Sequence, residues 1–362
     1  MYVVVWIGVS VVALLLLGFC YQWVGGRRDR RLMVAGEMVD VGGGRRLYSV
    51  EKGCGAPAVV FESGFAATSL NWMQVQDAIA EVAQTVAYDR GGLGWSAGAC
   101  SARTPRKIAE ELRAMLRESG VEPPYLLVGH SFGGLVMRRF ALDYPEDVVG
   151  VVLVDPMRTE EWPPVNEGQR AMVERSIRMI GHAVTLARVG VVRLLVPAVM
   201  GRSVMGRSKN VSRAMGRVAG VRGRYLIYRL TSEVEKMPEA ARPGVAAHWS
   251  DPMFYGGMLA HLNALTASVE EMHDAEPIEG VPVVVLTPGS AEALSGEALG
   301  RIGTDVRQVI AEKSQHWVHL DEPELVIAAI LDMRSADMRS ADMRSAEMRR
   351  VGVADFDAET VA

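Results

Sequence analysis

Cysteine is scarce in this chain of 362 residues, which contains only three, Cys20, Cys54 and Cys100. Three widely separated thiols cannot build a disulfide framework, and their spacing does not fit a zinc site. We therefore expect three free thiols. The sequence also lacks any motif that reads nucleic acid, so nucleic-acid binding is not expected even though part of the chain is strongly basic.

Charged residues are absent from residues 2–24. As a helix this stretch would be about 34 Å long, which is enough to cross a bilayer. A cleaved signal peptide normally starts with Lys or Arg and ends in small residues, and this stretch has neither. Cys20 would suit a lipoprotein, but Phe19 stands where a small residue is expected. We interpret residues 1–26 as a retained transmembrane anchor.

Basic side chains are absent before this stretch and concentrated just after it, at Arg27, Arg28, Arg30 and Arg31. Basic residues flank the cytoplasmic side of membrane spans. The asymmetry therefore predicts a single-pass membrane protein whose catalytic body lies in the cytoplasm.

After the anchor, short apolar runs alternate with helical patterns. Residues 38–53 have the pattern of a hairpin around a glycine turn, and residues 69–83 and 105–119 have the apolar spacing of helices. Further strands are predicted over 58–61, 85–88, 125–128, 148–155, 281–289 and 305–311, and a last helix over 324–333. Strands that are apolar on both faces are typical of a parallel sheet covered by helices on both sides. The sequence predicts an α/β fold of this kind.

No strand is predicted within residues 157–279, a segment too long to be a loop. We interpret it as an inserted helical lid, so that residues 33–156 and 280–332 form the core. The lid is followed in the chain by the end of this core and then by residues 333–362. That last segment carries a five-residue repeat whose methionines form no continuous apolar face on a helix. We predict a low-complexity tail with at most a frayed helical start and a disordered end.

The insertion is basic in a chain that is otherwise acidic. Residues 157–230 contain thirteen arginines and one lysine against four acidic residues, a net charge of +10 in a chain whose total is −4. Residues 175–207 mix apolar runs with arginines and contain no acid, which is the composition of an amphipathic element on an anionic bilayer. The alternative is a lid that packs on the core and keeps its arginines in solvent.

A lone serine follows the strand over 125–128, in the sequence LVGHSFGGLVMRR. Gly129, Ser131 and Gly133 fit the G-x-S-x-G pattern, and they have the strand before them and the helix after them that this pattern requires. The glycines permit a sharp turn that presents the serine at the carboxyl edge of the sheet, where open α/β sheets bind ligands. We predict that Ser131 is a nucleophile.

A serine nucleophile needs a base, and the chain has seven histidines. His130 lies inside the turn. Surface or packing roles are expected for the four histidines of the insertion, His182, His248, His261 and His273. His316 and His319 remain, between the last strand and the last helix. We favour His316 because it follows the strand directly, whereas His319 is closer to the helix and is expected to pack.

These segments resemble the α/β-hydrolase superfamily, and in particular its lidded members that hydrolyse esters and lipids. The resemblance covers residues 38–156 and 281–332, and its segments occur in the family's order: VVFESGFAATSLNW, AYDRGGLGWS, LVGHSFGGLVMRRF, VVLVDP and SQHWVHLDEPELV. It implies that Ser131 is the nucleophile and His316 the base.

The resemblance also implies an oxyanion hole formed by the backbone N–H groups of Phe65 and Phe132. Where the family often has His-Gly before the oxyanion loop, this chain has Ser63-Gly64. Because the donor is a backbone group, the hole is expected to survive this difference. The pair Asp89 and Arg90 resembles a loop of the family for which a structural role is expected.

The sequence alone does not decide which acidic residue would orient His316. The family's usual place follows the strand that ends at Leu286, where TPGSAEALSGE offers Glu292 and Glu297 but no Asp. Some relatives use the end of the preceding strand, which is Asp155 here. We favour Asp155, with Glu292 as the alternative.

The sequence therefore predicts a membrane-anchored serine hydrolase that cleaves carboxylic esters, with lipid or acyl-chain esters among the candidates. Residues 2–24 and the basic lid are the predicted membrane contacts, and the implied mechanism needs neither a metal nor an organic cofactor. Serine at this position argues against epoxide hydrolase or dehalogenase chemistry, which in this fold depends on a carboxylate there. The alternatives are an acyltransferase with the same triad and a catalytically silent membrane scaffold of the same fold.

Overall fold

A computed structural model of the chain describes residues 2–33, 36–98, 101–161, 167–200 and 233–337. The strands are β1 (Glu37–Asp40), β2 (Arg46–Lys52), β3 (Ala58–Glu62), β4 (Thr85–Asp89), β5 (Tyr125–His130), β6 (Val148–Val154), β7 (Val283–Pro288) and β8 (Val306–Ala311). The helices are α1 (Tyr2–Asp29), α2 (Met73–Ala80), α3 (Pro105–Glu118), α4 (Phe132–Asp143), α5 (Glu167–Arg188), α6 (Val191–Val199), α7 (Arg242–Ser250), α8 (Pro252–Asn263), α9 (Leu265–His273), α10 (Gly296–Gly300), α11 (Val318–Asp321) and α12 (323–337).

The strands form one eight-stranded sheet in the order β1-β2-β4-β3-β5-β6-β7-β8. The hairpin β1–β2 is antiparallel and also pairs antiparallel with β4, whereas all pairs from β4 to β8 are parallel. The predicted α/β fold with a mostly parallel sheet is therefore confirmed. Because β3, β5, β6, β7 and β8 run in one direction, their carboxyl ends meet at one edge of the sheet.

Apolar side chains of each central strand alternate between the two faces of the sheet. Val60, Leu127 and Val151 are fully buried on the face covered by α3 and α4. Phe61 and Val128 are buried on the other face, which α2 and α12 cover. Burial on both faces explains why these strands are apolar throughout and do not alternate between apolar and polar residues.

The α-helix predicted over 69–83 is shorter in the structure and begins later. The segment opens with a 3₁₀ turn, Ser69–Trp72, before α2. The N–H of Ser69 donates to Asp89 Oδ1 at 2.8 Å, so the first turn is attached to the end of β4.

Helices α5 to α9 occupy the segment interpreted as a lid. In its described part, the only β contact is an isolated bridge between Ile278 and Gly303. Residues 201–232, which include seven of the thirteen arginines of the basic segment, lie outside the described residues, and so does Cys100. Helix α12 extends to residue 337, so the start of the predicted tail is helical, whereas its repeat beyond that position lies outside the described residues.

Helix α1, with the turn that follows it, is long and apolar enough to cross a membrane. Its apolar side chains are exposed, for example Leu14 and Leu17. Exposed apolar surface of this extent is characteristic of a membrane span or of a protein interface.

Close packing between β5 and α4 generates a stability prediction. A Cβ added at Gly129 would lie 2.6 Å from the carbonyl oxygen of Gly133 and 2.9 Å from the Cα of Gly134, both in backbone that cannot rotate away. Gly129→Ala is expected to lower the free energy of unfolding by about 1–3 kcal/mol. The matched control is Gly296→Ala, where nothing lies within 4 Å of the new Cβ. Denaturant unfolding in detergent that finds both variants equally stable would contradict this packing.

Candidate active site

Ser131 lies at the sharp turn between β5 and α4. Its φ is 52° and its ψ is −119°, a region that non-glycine residues rarely adopt. The turn is held because the N–H of Ser131 donates to Val154 O at 3.0 Å, at the end of the neighbouring strand β6. Its side chain is largely covered, with the residue 7% exposed. Backbone strain of this kind, held by surrounding structure, is concentrated at functional sites.

Asp155 and His316 meet beside this turn. His316 Nδ1 lies 2.7 Å from Asp155 Oδ2, and the His316 side chain is partly exposed. Asp155 directly follows β6 with a φ of 40°, and its N–H donates to Leu286 O at 2.8 Å. His316 lies on the loop between β8 and α11. Two strand ends and one loop therefore bring these residues together from distant parts of the sequence.

The other two candidates lie elsewhere. The Glu292 side chain is exposed, and the contact that the structure gives this residue is its carbonyl oxygen accepting from Arg158. His319 is buried with its ring stacked on Trp72 at 4.4 Å. Of the two possible acids, Asp155 is therefore the one that contacts His316.

The tautomer of His316 follows from its partner. A carboxylate accepts, so Nδ1 carries the proton in the neutral ring and Nε2 has a free lone pair. Within the described part of the chain, no direct hydrogen bond joins Nε2 to the Ser131 hydroxyl. Such contacts are often long in unliganded sites and tighten when substrate binds.

Two backbone donors without acceptors lie beside Ser131. Among the described residues, the N–H groups of Phe65 and Phe132 make no hydrogen bond. Gly64 approaches the serine so closely that a Cβ there would lie 2.7 Å from His130 Nδ1 and 3.4 Å from Ser131 Cβ. Phe132 begins α4, whose N-terminal dipole favours negative charge. These free donors can hold an anionic oxygen.

Arg90 fixes the loop that carries Phe65. Its guanidinium donates to Glu62 Oε1 at 2.7 Å, to Ser63 O at 2.5 Å and to Gly64 O at 2.6 Å. Arg90 and Glu62 are both almost fully buried. Burial raises the pKa of Glu62, and the charge of Arg90 opposes that rise. The pair predicted to be structural thus includes a residue that holds the candidate oxyanion loop in place.

Comparison with known proteins agrees with this architecture. A family model described as the alpha/beta hydrolase fold matches residues 57–179. The structure of a putative epoxide hydrolase from Pseudomonas aeruginosa superimposes with a TM-score of 0.61 at 18% identity, covering 84% of this chain and 97% of that one. The chain has the α/β-hydrolase fold.

Curated relatives of this chain match over shorter stretches. An uncharacterised protein of Bacillus subtilis, YqjL, is 34% identical over 105 residues, which are 29% of this chain and 42% of YqjL. A putative carbamate hydrolase of Klebsiella pneumoniae, RutD, is 36% identical over 102 residues, which are 28% of this chain and 38% of RutD. The chain thus matches less than half of the length of these relatives.

Two buried histidines support the loop of His316, and sequence patterns did not reveal either role. His130 Nε2 lies 2.8 Å from the carbonyl oxygen of His316, so this nitrogen carries the proton and donates. The His319 ring packs against His130 at 4.5 Å between centroids. Burial, and secondly the neighbouring His316, lowers the pKa of His319 to about 3. Burial likewise lowers the pKa of His130 well below its ordinary value.

A third buried histidine connects the segment interpreted as a lid to the candidate oxyanion donors. His261, on α8, has its ring 6.1 Å from the Phe65 ring and 5.7 Å from the Phe132 ring, in edge contacts. Its Nδ1 donates to Gly257 O at 2.8 Å, and burial lowers its pKa well below the ordinary value. His261 therefore packs, as expected for a histidine of this segment, and it packs on the two residues that carry the candidate oxyanion donors. Among the described residues, no group of three or more His, Cys, Asp or Glu side chains is arranged to hold a metal ion.

The low pKa of His319 predicts a pH dependence of stability. The ring is neutral in the folded protein, whereas in the unfolded chain it binds a proton below about pH 6.5. Stability is therefore lost as the pH falls from about 6.5 towards 3, by up to about 1.4 kcal/mol per pH unit for this group. His319→Phe keeps an aromatic ring against Trp72 and should make the decline shallower by that amount. The exposed His273→Asn is the control, and denaturant unfolding between pH 6 and 5 is the measurement. Parallel pH curves for wild type and His319→Phe would contradict the prediction.

Proposed function

We propose that the protein is a serine hydrolase that cleaves carboxylic esters through an acyl-enzyme on Ser131. His316 acts as the base, Asp155 orients it, and the N–H groups of Phe65 and Phe132 stabilise the oxyanion. The observation that carries the proposal is the 2.7 Å contact between His316 Nδ1 and Asp155 Oδ2 beside a serine with positive φ.

The reaction has two matched halves. In the first, His316 Nε2 takes the Ser131 hydroxyl proton while Oγ attacks the ester carbonyl carbon, and the carbonyl oxygen becomes anionic. The intermediate collapses as His316 gives that proton to the departing alkoxide, which leaves as an alcohol. In the second half, water replaces the alcohol: its proton goes to His316, its oxygen joins the acyl carbon, and the proton returns to Ser131 Oγ as the acid leaves.

Electrostatics support the same assignment of roles. Asp155 stabilises the imidazolium that forms at His316 in each half-reaction. Each preorganised oxyanion donor typically contributes about 3–4 kcal/mol of transition-state stabilisation. The serine nucleophile favours acyl chemistry over epoxide opening, which in this fold depends on a carboxylate at that position.

We also infer that α1 is retained as a single-pass anchor and that the catalytic body lies in the cytoplasm. The uncharged run over 2–24 supports the anchor, and the arginines at 27, 28, 30 and 31 support the orientation.

Covalent labelling tests whether Ser131 is the nucleophile. A fluorophosphonate probe reacts with an activated serine, so the full-length protein in detergent should be labelled once, at Ser131. Ser131→Ala should abolish the label, whereas Ser295→Ala, at the exposed N-cap of α10, should retain it. Absence of labelling in the wild-type protein would favour a catalytically silent scaffold.

Substitution of the two candidate acids tests the orienting role. Asp155→Asn should lower kcat for p-nitrophenyl esters by about 10³–10⁴-fold at neutral pH, because an amide no longer favours the productive tautomer. Glu292→Gln should leave kcat within about twofold, since its exposed side chain does not contact His316. The same assay over a series of acyl lengths measures the size of the acyl site. A large loss in Glu292→Gln together with an active Asp155→Asn would overturn the assignment.

A further inference from the structure

The carboxyl-terminal half of α1 is packed against the lid. Gly18 lies against Val189 so closely that a Cβ at position 18 would collide with the Val189 carbonyl oxygen. From the other side, a Cβ at Gly190 would lie 2.6 Å from Gly18 O and 3.1 Å from Tyr21 Cδ1. The backbones of α1 and of the α5–α6 junction are therefore in direct contact.

Polar contacts extend this junction towards the end of α1. Gln22 Nε2 donates to Ser250 O at 3.0 Å, and Gln22 Oε1 accepts from Arg193 Nε at 3.0 Å. Arg193 also forms an ion pair with Asp29 at 2.7 Å. Gln22 and Arg193 are each only 8% exposed. The anchor and the lid are thus joined along residues 18–29.

The length of α1 places this junction at a definite depth in a membrane. A hydrocarbon core of about 30 Å needs about 20 helical residues. Residues 2–17, which precede the lid contacts, would extend only about 24 Å. If α1 crosses the core, residues 18–21 must also lie in hydrocarbon, and the α5–α6 junction beside them must lie there too.

Side chains at the end of α1 agree with this depth. Trp23 follows residues 18–21 where an interfacial aromatic residue is expected, and the Arg27 guanidinium lies 3.8 Å from the Trp23 ring centroid. Gly18 is nine positions before Arg27, which corresponds to about 13 Å along the helix.

The lid surface near the junction is apolar and exposed. We define the lid corner as residues 186–195, where α5 and α6 meet at a bend of 95°. Leu186, Leu194 and Leu195 are 45%, 63% and 43% exposed. Two arginines lie between them. Arg193 is neutralised by Asp29 and buried, so it does not prevent insertion into hydrocarbon. Arg188 is exposed, and its long side chain must extend to the lipid headgroups when the corner inserts.

We propose that the lid corner inserts into the lipid leaflet that holds the carboxyl-terminal half of α1, and that the enzyme takes its ester substrate from that leaflet. The second part rests on the ester hydrolase function proposed above. Helix α8 packs along α5, and His261 of α8 contacts the rings of Phe65 and Phe132. The path from the lipid surface to the oxyanion donors therefore crosses only two contacts, that of α5 with α8 and that of α8 with the Phe65 and Phe132 rings. The substrate class is a long-chain carboxylic ester of a membrane lipid.

A depth measurement tests insertion without reference to catalysis. In the full-length protein with Cys20, Cys54 and Cys100 changed to Ser, Leu194→Cys is labelled with the fluorophore NBD in phosphatidylcholine vesicles. Quenching by lipids with a doxyl group on the acyl chain, and protection from aqueous iodide, is the expected result. Leu331→Cys, at a partly exposed site on α12, is the control and should be quenched by iodide alone. Quenching of the Leu194 site by iodide alone would show a solvated lid, and resistance to both quenchers would show a protein contact; either overturns the proposal.

An activity comparison tests the substrate source. The double variant Leu194→Glu, Leu195→Glu should hydrolyse a long-chain fluorogenic ester embedded in vesicles roughly tenfold more slowly than wild type, because charged side chains resist insertion. Its rate on water-soluble p-nitrophenyl butyrate should stay within about twofold of wild type. An equal loss on both esters, or no loss on either, would contradict uptake from the leaflet. If the wild-type protein hydrolyses neither ester, the proposed hydrolase function fails, while the depth measurement still decides whether the corner inserts.

Discussion

Two backbone hydrogen bonds at the carboxyl edge of the sheet hold the candidate site together. The N–H of Ser131 donates to Val154 O at 3.0 Å, and the N–H of Asp155 donates to Leu286 O at 2.8 Å. Each bond continues the hydrogen-bond ladder between two parallel strands by one residue. It holds the backbone of Ser131 or Asp155 at a positive φ that is otherwise unfavourable, and so fixes the direction of the side chain. Ser131 and Asp155 are therefore positioned by the ends of buried central strands, and only His316 comes from a loop.

Buried polar groups hold the loops of the candidate site in place. Arg90 accommodates three acceptors on the Glu62–Gly64 segment and so fixes the backbone that carries the Phe65 donor. His130 performs the corresponding task for the base by binding the carbonyl oxygen of His316. Both groups are buried, and a buried donor that loses its acceptor costs about 1–3 kcal/mol, so these contacts disfavour alternative loop conformations.

Local patterns were enough to predict the parallel sheet, the strand–turn–helix at Ser131 and the position of His316 on the loop after the last strand. They could not decide between Asp155 and Glu292, because both follow strands that end at the same edge, and only the direction of each loop determines which carboxylate reaches the ring. The roles of Arg90, His130 and His261 also depend on contacts between residues distant in sequence. The docking of α1 on the lid joins Gln22 to Arg193, across 171 positions, and no periodic pattern signals such a pair.

The most direct test of the Ser131 site is a crystal structure of the protein after reaction with a fluorophosphonate. We predict a bond from phosphorus to Ser131 Oγ, the phosphoryl oxygen within about 3.1 Å of the N–H groups of Phe65 and Phe132, and a hydrogen bond that still joins His316 to Asp155. An adduct on another residue would contradict this prediction. So would an adduct on Ser131 whose phosphoryl oxygen points away from both backbone donors.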